Sequence, residues 1–392
     1  MAGDGSWPSV APRVAPRVAV ASSGLGHIAR GIEAWAQDVA AALKRKGVPV
    51  ELFGGASGPG ITAVPCFIRT SPSAQRTAAL FRQLGGWRYG LGSDYEVEQT
   101  TFSLNLWRRI RSDWDILHVQ DPIIAKILDR LNRAGLSRPR VVFGNGTGEG
   151  VESVCRLSRV QELLPPALKK WDALSGRKPR LFQAPNFIDM DRFTPGQRDE
   201  ARRKFDLPGD ALIVFCSAAI RRFHKRMDYL LQEFATFAEG FDQPAFLLIA
   251  GGRESDTDDI IAFGKGLLGD RVRFHVGLPR AEMPMLYKAA DIFTITSLYE
   301  TGSIAVIEAA ATGLPVICHD EPNFHALGGP SNTYVDMTQP GALAAALRNL
   351  ASPARRDELG RQSRAYAEAT FSEGAVIERI LSIYRDVMAE PN

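Results

Sequence analysis

The chain is poor in the residues that build metal-bound or disulfide-tied folds. Its 392 residues hold only four cysteines, Cys66, Cys155, Cys216 and Cys318. No two of them form a C-x-x-C pair, which argues against a zinc site or a disulfide framework and fits a reducing cytoplasm. There is no Gly-x-Ser-x-Gly and no clustered His/Cys set, so hydrolase-triad and zinc readings have no support. No apolar run approaches the roughly 18 residues of a membrane span. The opening MAGDGSWPSVAPRVAPR lacks an apolar h-region, so a secretory signal is not expected. It carries APRV twice in tandem and reads as a disordered tail over residues 1–17. Neither sign of charge dominates: the formal net charge of +3 is too small to argue for nucleic acid. No long-period repeat stands out.

What is present is an ordinary globular composition, 45% hydrophobic and 23% charged, at a length that suits two domains. Short β-branched runs alternate with longer helical patterns, the signature of βαβ units and parallel sheets. In the first half the expected strands are VAVAS (18–22), PVELF (49–53), DILHVQ (115–120), RVVFG (140–144) and LFQAP (181–185). GIEAWAQDVAAALKRKG (31–47) is the clearest helix, with apolar positions recurring at three and four. The second half restarts the alternation with ALIVFCSAA (211–219), PAFLLIAGG (244–252), RVRFHVG (271–277), DIFTITS (291–297) and PVICHD (315–320). These near-continuous apolar runs suit strands buried on both faces. The fold class is therefore α/β: two doubly wound domains in series, with a ligand expected in a cleft at the strands' carboxyl ends. The seam is APNFIDMDRFTPGQRDE (184–200), rich in proline and charge. It divides the chain into domains at 18–195 and 196–373.

Chemistry concentrates in SLYETGSIAVIEAAATGLPVICHD (297–320). Glu300 and Glu308 flank what should be the N-terminus of a small-residue helix. Gly302 and Ser303 open it, and its free N–H groups can meet a ligand's hydroxyls or phosphate. Glu308 lies in an apolar run and needs a partner, because burying an unpaired charge is costly. A glutamate paired to a neighbouring cation or backbone donor has the same spacing. A second signal is Arg221-Arg222-Phe223-His224-Lys225-Arg226, directly after a strand. A basic cluster there suits a diphosphate and can stabilise charge developing on a leaving group; a solvated basic face reads alike. The loop Ser22 to Gly31 holds Gly24 and Gly26, which permit close backbone approach. It is neither a dinucleotide fingerprint nor a P-loop.

The pattern S-x-x-E-x(7)-E-A-x-A-x-G-x-P-V resembles the donor-site signature of the family-four retaining glycosyltransferases of the GT-B fold, the glycosyl transferases group 1. The seam resembles the family's P-N-G-V-D-x-x-x-F-x-P segment through Pro185, Asn186, Asp189, Phe193 and Pro195. The resemblance implies two Rossmann-like domains, with a terminal helix at about 374–392 crossing back to the first. It implies transfer of a hexosyl group from a UDP- or GDP-sugar to an acceptor hydroxyl with retention. Glu300 then faces the donor sugar and Glu308 holds the ribose. Lys225 with Arg221, preferred over Arg222, stabilises the diphosphate. Gly252, Gly277, Gly302, Ser303, Ile304 and Asn145 join the donor set. Gly24, Gly26, His27 and His118 line the acceptor side, and Arg30-Gly31-Ile32-Glu33 replaces the family's Gly-Gly-x-Glu.

The chain departs from the pattern at Thr301-Gly302-Ser303, where Gly-Phe-Gly is usual, at Gln120 for a histidine and at Asn145 for the histidine of a His-Gly pair. Asp189-Met190-Asp191 and Asp256-Thr257-Asp258 spell a metal-binding D-x-D, but register with a metal-independent family speaks against both. No cofactor or metal is expected. The nucleotide sugar is a substrate, and the acceptor is a small molecule, a glycan or a lipid-linked sugar. Residues 87–114 and 165–180 mix tryptophan with basic side chains, as lipid-facing members do. Docking on the inner face of a membrane and ordinary surface helices share that pattern. Two other readings stay open: a sugar-nucleotide epimerase on the same architecture, and a silent nucleotide- or carbohydrate-binding protein.

Overall fold

A computed structural model describes residues 15–28 and 31–390. Most of the expected tail, residues 1–14, and Arg30 lie outside the described residues. Arg17, assigned to that tail, is anchored instead: its N–H donates to Asp115 at 2.9 Å, and its guanidinium lies 4.7 Å over Trp114.

The chain divides into two units. The first holds the chain through Leu163, Ala167–Ala184 and Ile377 onward; the second holds Leu164–Pro166 and Pro185–Val376. The seam thus falls at the head of the proline-rich segment. The helix Glu373–Met388 begins in the second unit and contributes most of its length to the first.

The first unit is built on seven parallel strands: β1 (Val18–Ser22), β2 (Val50–Gly54), β3 (Ile61–Ala63), β4 (Ile116–Val119), β5 (Arg140–Gly144), β6 (Arg159–Glu162) and β7 (Arg180–Gln183). Their order is β3-β2-β1-β4-β5-β6-β7. β1 is buried along its whole length, as a strand covered by helices on both faces must be. The second unit has six parallel strands: β8 (Leu212–Ser217), β9 (Ala245–Gly251), β10 (Val272–Val276), β11 (Ile292–Thr294), β12 (Val316–His319) and β13 (Thr333–Val335). Their order, β10-β9-β8-β11-β12-β13, is the Rossmann arrangement. In each unit the chain reverses direction across the sheet beside its first strand. These switch points, β1/β4 and β8/β11, open a crevice at the strands' carboxyl ends.

Strands β3, β6 and β13 escaped the sequence pattern. β3 and β13 are three-residue edge strands. β6 reads Arg-Val-Gln-Glu, and its buried polar side chains find partners outside the strand: Glu390 for Arg159, the Ala184 carbonyl for Gln161, and Trp171 for Glu162. Among the described residues no helix is long and apolar enough to cross a membrane.

Candidate functional site

The site of the second unit grows from the end of β8. A Cβ on Gly251 would lie 1.7 Å from the Ala218 carbonyl oxygen, so only glycine lets the chain leaving β8 pass the end of β9. The segment 218–226 then doubles back. His224 and Arg226 take φ of 69° and 51°, left-handed conformations that cost a side-chain-bearing residue roughly 1–2 kcal/mol each. Surrounding contacts hold that strain. Arg226 donates to the Met337 carbonyl at 2.7 Å and stacks 4.2 Å over Tyr229. Thr296 donates to the Lys225 carbonyl at 2.7 Å, and His224 Nε2 donates to the Tyr299 carbonyl at 3.0 Å. Burial, and then the neighbouring Lys225 charge, keep His224 below its ordinary value, so it serves as a neutral donor.

The result is a direct ion pair of Lys225 with Glu300 at the switch point, both side chains largely covered. Glu300 heads a turn that two asparagines brace. Asn323 donates to the Glu300 carbonyl at 2.8 Å, and Asn186 donates to the Gly302 carbonyl at 3.0 Å. Ser303 then caps the helix Ile304–Ala311 without a side-chain hydrogen bond, so the first N–H groups of the helix remain available at this edge. Glu308 sits one turn along, 7% exposed, and accepts from the Tyr287 hydroxyl at 2.8 Å. Burial, and then the Glu308 charge, push the Tyr287 phenol well up, which keeps it a donor. The apolar run required a partner for Glu308, and the Tyr287 phenol is one.

Of the other expected donor residues in this unit, Arg221 and Arg222 follow β8, Gly252 follows β9 and Gly277 follows β10. Arg221 is half-buried and its Nε has no hydrogen-bond partner among the described residues, whereas Arg222 is exposed, its backbone N–H donating to Asp256 at 2.8 Å and its carbonyl accepting from the Arg226 N–H at 2.8 Å. Gly277, at φ 70°, donates to the Gly251 carbonyl at 2.9 Å. Gly252 meets no steric constraint; the demanding glycine is its neighbour Gly251. The two D-x-D patterns serve local structure. Asp189 accepts from the backbone of Asp191 and Arg192, and Asp258 pairs with Arg253.

Three residues that hold this site were missed as such in the sequence. Asn186 stood in the seam motif with no role attached. Tyr287 was implied only as an unnamed partner of Glu308, and nothing local marks Asn323.

The first unit carries a separate polar cluster at the ends of β1 and β4. Gly26, at φ 91°, would put a Cβ 2.4 Å from the Ala56 carbonyl oxygen, and the room beside Gly24 is filled by Glu33. The two glycines thus admit the protein's own groups. His27 meets Glu98 at 3.1 Å, and Arg69 forks onto the same carboxylate, donating also from its backbone at 2.7 Å. Burial pushes Glu98 up, but the Arg69 bonds outweigh it and hold the group below its usual value. Asp121 accepts from the Ser23 hydroxyl at 3.0 Å, and burial pushes its carboxyl up to about 6.

Three expectations require correction here. His118 is a core residue, fully buried, packed edge-on against Trp35 and sharing a 2.8 Å hydrogen bond with Tyr384. Burial lowers it to about 3, so it is neutral and shielded from any acceptor. Asn145 spends both amide protons internally, on the Glu149 carbonyl at 3.0 Å and on Glu162, and stitches its loop instead of donating to a sugar. Among the tryptophans of the two basic segments, Trp114 and Trp171 are buried in the core, which removes them from any membrane-facing surface.

With this geometry in view, residues 197–366 match the family described as Glycosyl transferases group 1. Among curated proteins, D-inositol 3-phosphate glycosyltransferase 1 of Catenulispora acidiphila is 28% identical over 228 residues, covering 55% of this chain and 54% of that protein. D-inositol 3-phosphate glycosyltransferase of Mycolicibacterium smegmatis is 30% identical over 212 residues, covering 52% and 46%. The chain thus spans about half the length of the curated relatives it matches. Among solved structures, sucrose-phosphate synthase from Thermosynechococcus elongatus superposes with a TM-score of 0.77 at 18% identity, over 95% of this chain and 99% of that one. Anabaena HepE in complex with UDP-glucose gives 0.72 at 14% identity, over 95% and 100%. The fold is that of these GT-B structures.

Proposed function

We propose that this chain, whose second unit is a glycosyl transferases group 1 domain, moves a hexosyl group from a UDP- or GDP-sugar to an acceptor hydroxyl with retention of configuration. One observation carries the reading: the Lys225–Glu300 pair lies at the β8/β11 switch point, beside the open N-terminus of the helix that bears Glu308. A cation, an array of N–H groups and a covered carboxylate answer in turn to a diphosphate, its oxygens and a ribose diol. The inositol 3-phosphate glycosyltransferases among the relatives support glycosyl transfer, and the HepE structure with UDP-glucose supports a nucleotide-sugar donor.

Retention by double displacement needs a carboxylate nucleophile on one face and an acid on the other. Glu300 is the one carboxylate assigned to the sugar, and its tie to Lys225 suits binding. A same-face displacement fits better. The bond from the anomeric carbon to the phosphate oxygen breaks, and the acceptor oxygen bonds to that carbon. The acceptor's proton passes to the departing phosphate. Lys225 and Arg221 stabilise the charge that develops there. No metal is assigned a step, and a cytoplasmic setting suits the donor.

Thermal shifts with UDP, GDP, ADP and UDP-glucose test the donor, with Lys225→Ala and Glu308→Ala as controls. Stabilisation of the wild type by no nucleotide would sink the reading. Proton NMR of the product's anomeric signal tests retention. Conversion of the sugar nucleotide without acceptor would favour epimerisation.

A further inference from the structure

A cavity of about 470 Å³, the size of a small-metabolite site, opens in the second unit. Asp291 and Ala290 precede β11, and Leu314 and Pro315 precede β12, so the cavity lies at the strands' amino ends. That is the sheet edge opposite Lys225 and Glu300. Its walls carry Arg198, Lys288 and Arg356 against Asp291 and Asp357. Asp291 is already shared by Arg198 at 3.1 Å and by the buried Arg202 at 2.6 Å. The walls thus carry three cations against two carboxylates, and one of those carboxylates, Asp291, is also drawn on by Arg202.

The helix Pro353–Phe371 starts at this cavity and breaks a local rule there. A helix start favours acidic side chains, because its N–H groups leave a positive end. Here the first turn has no acidic residue, Arg355 and Arg356 follow at once, and Ser352 makes no side-chain cap bond. Arg356 is pinned at the wall by the Leu350 and Ala351 carbonyls at 2.8 and 2.6 Å. Lys288 is held by the neutral amide of Gln197 at 2.6 Å. Cations gathered at a positive helix end repel one another until an anion sits among them.

We propose that this cavity binds a small phosphorylated metabolite, a phosphate monoester whose dianion is held by Arg198, Lys288 and Arg356. Its occupancy reaches the donor site by a short physical route. Tyr287 lines the cavity and donates through its hydroxyl to Glu308. The helix bearing Glu308 starts at Ile304, at the donor edge, and runs down to Thr312 and Gly313 on the cavity wall. This coupling rests on the donor role proposed for Glu308; binding at the cavity does not.

Calorimetric titration of the full chain with glucose 6-phosphate, inorganic phosphate and glucose tests the site. Saturable binding of glucose 6-phosphate is expected, with inorganic phosphate about tenfold weaker and glucose silent. Lys288→Ala and Arg356→Ala should each weaken binding about tenfold, and saturating UDP should not displace the probe. Absence of binding, equal affinity in the variants, or displacement by UDP overturns the proposal. If Arg356→Ala does not fold, Lys288→Ala decides, since the hydrogen bond that lysine makes among the described residues is to the Gln197 side chain. Bound glucose 6-phosphate should shift UDP affinity by about fivefold in the wild type and not in Tyr287→Phe. An unshifted wild type refutes the relay. Failure of UDP to bind refutes the donor reading and leaves the phosphate isotherm standing.

Discussion

Asp121→Asn isolates a charge that the first unit buries at a cost. The wild-type carboxyl is 1% exposed, and burial pushes it from an ordinary 3.8 up to about 6. Each pH step between those values is worth about 1.36 kcal/mol, so the folded state forgoes about 3 kcal/mol once Asp121 ionises. The sign follows from proton counting. Between pH 3.8 and 6 the folded protein holds this proton and the unfolded chain does not. The stabilisation is full below 3.8 and is lost as pH rises through 6. Asparagine keeps an oxygen to accept from the Ser23 hydroxyl, now at 3.0 Å, and carries no charge. Urea unfolding of both proteins from pH 4 to pH 8 should show the wild type losing about 2.5 kcal/mol relative to the variant across that window, most of the full difference. Other titrating groups cancel in the difference. A difference that stays flat with pH refutes the buried-charge argument; one that runs the other way would require a strong cation partner for Asp121.

Lys225→Ala removes the cation assigned to the diphosphate and strands Glu300; kcat should fall about 10²–10³-fold in a coupled nucleotide-release assay. A Lys225→Ala enzyme of near-normal turnover would move the chemistry elsewhere. Tyr287→Phe takes the hydroxyl from a covered carboxylate and should cost about 1.5–3 kcal/mol of stability by urea unfolding, with weaker UDP binding by calorimetry. Gly251→Ala drives a Cβ into the Ala218 carbonyl; calorimetric melting should show destabilisation above about 3 kcal/mol, and a soluble variant of unchanged Tm would contradict the packing of β8 on β9. His118, lowered to about 3, should stay neutral in an NMR titration down to pH 4, and a midpoint near 6.5 would place it in solvent.

The corrections share one cause. His118 ends a strand beside a polar loop, which from sequence alone equally suits a core residue or a site residue. Trp35 and Tyr384 decide the matter, and Tyr384 lies 266 positions away. Asn145 carries a side chain able to bond a sugar, yet Glu162 has already taken it. Buried polar groups are spent wherever a partner comes within reach, and reach is not written in spacing.

By itself the sequence determined the α/β class, the run of strands buried on both faces, the restart of the pattern in the second half and the basic cluster that follows a strand. Those features are local: periodicity, turn residues and charge density are carried by neighbouring positions. It also required that Glu308 have a partner, because solvation cost follows from residue type alone. Only the tertiary structure decided that the partner is Tyr287, that Asn186 and Asn323 brace the turn after Glu300, and that Lys225 meets Glu300 across 75 positions. The three-residue edge strands and the polar β6 belong there too. Hydrogen bonds and ion pairs form at about 3 Å, and which side chains come that close is set by strand order and loop path, which no short stretch of sequence encodes.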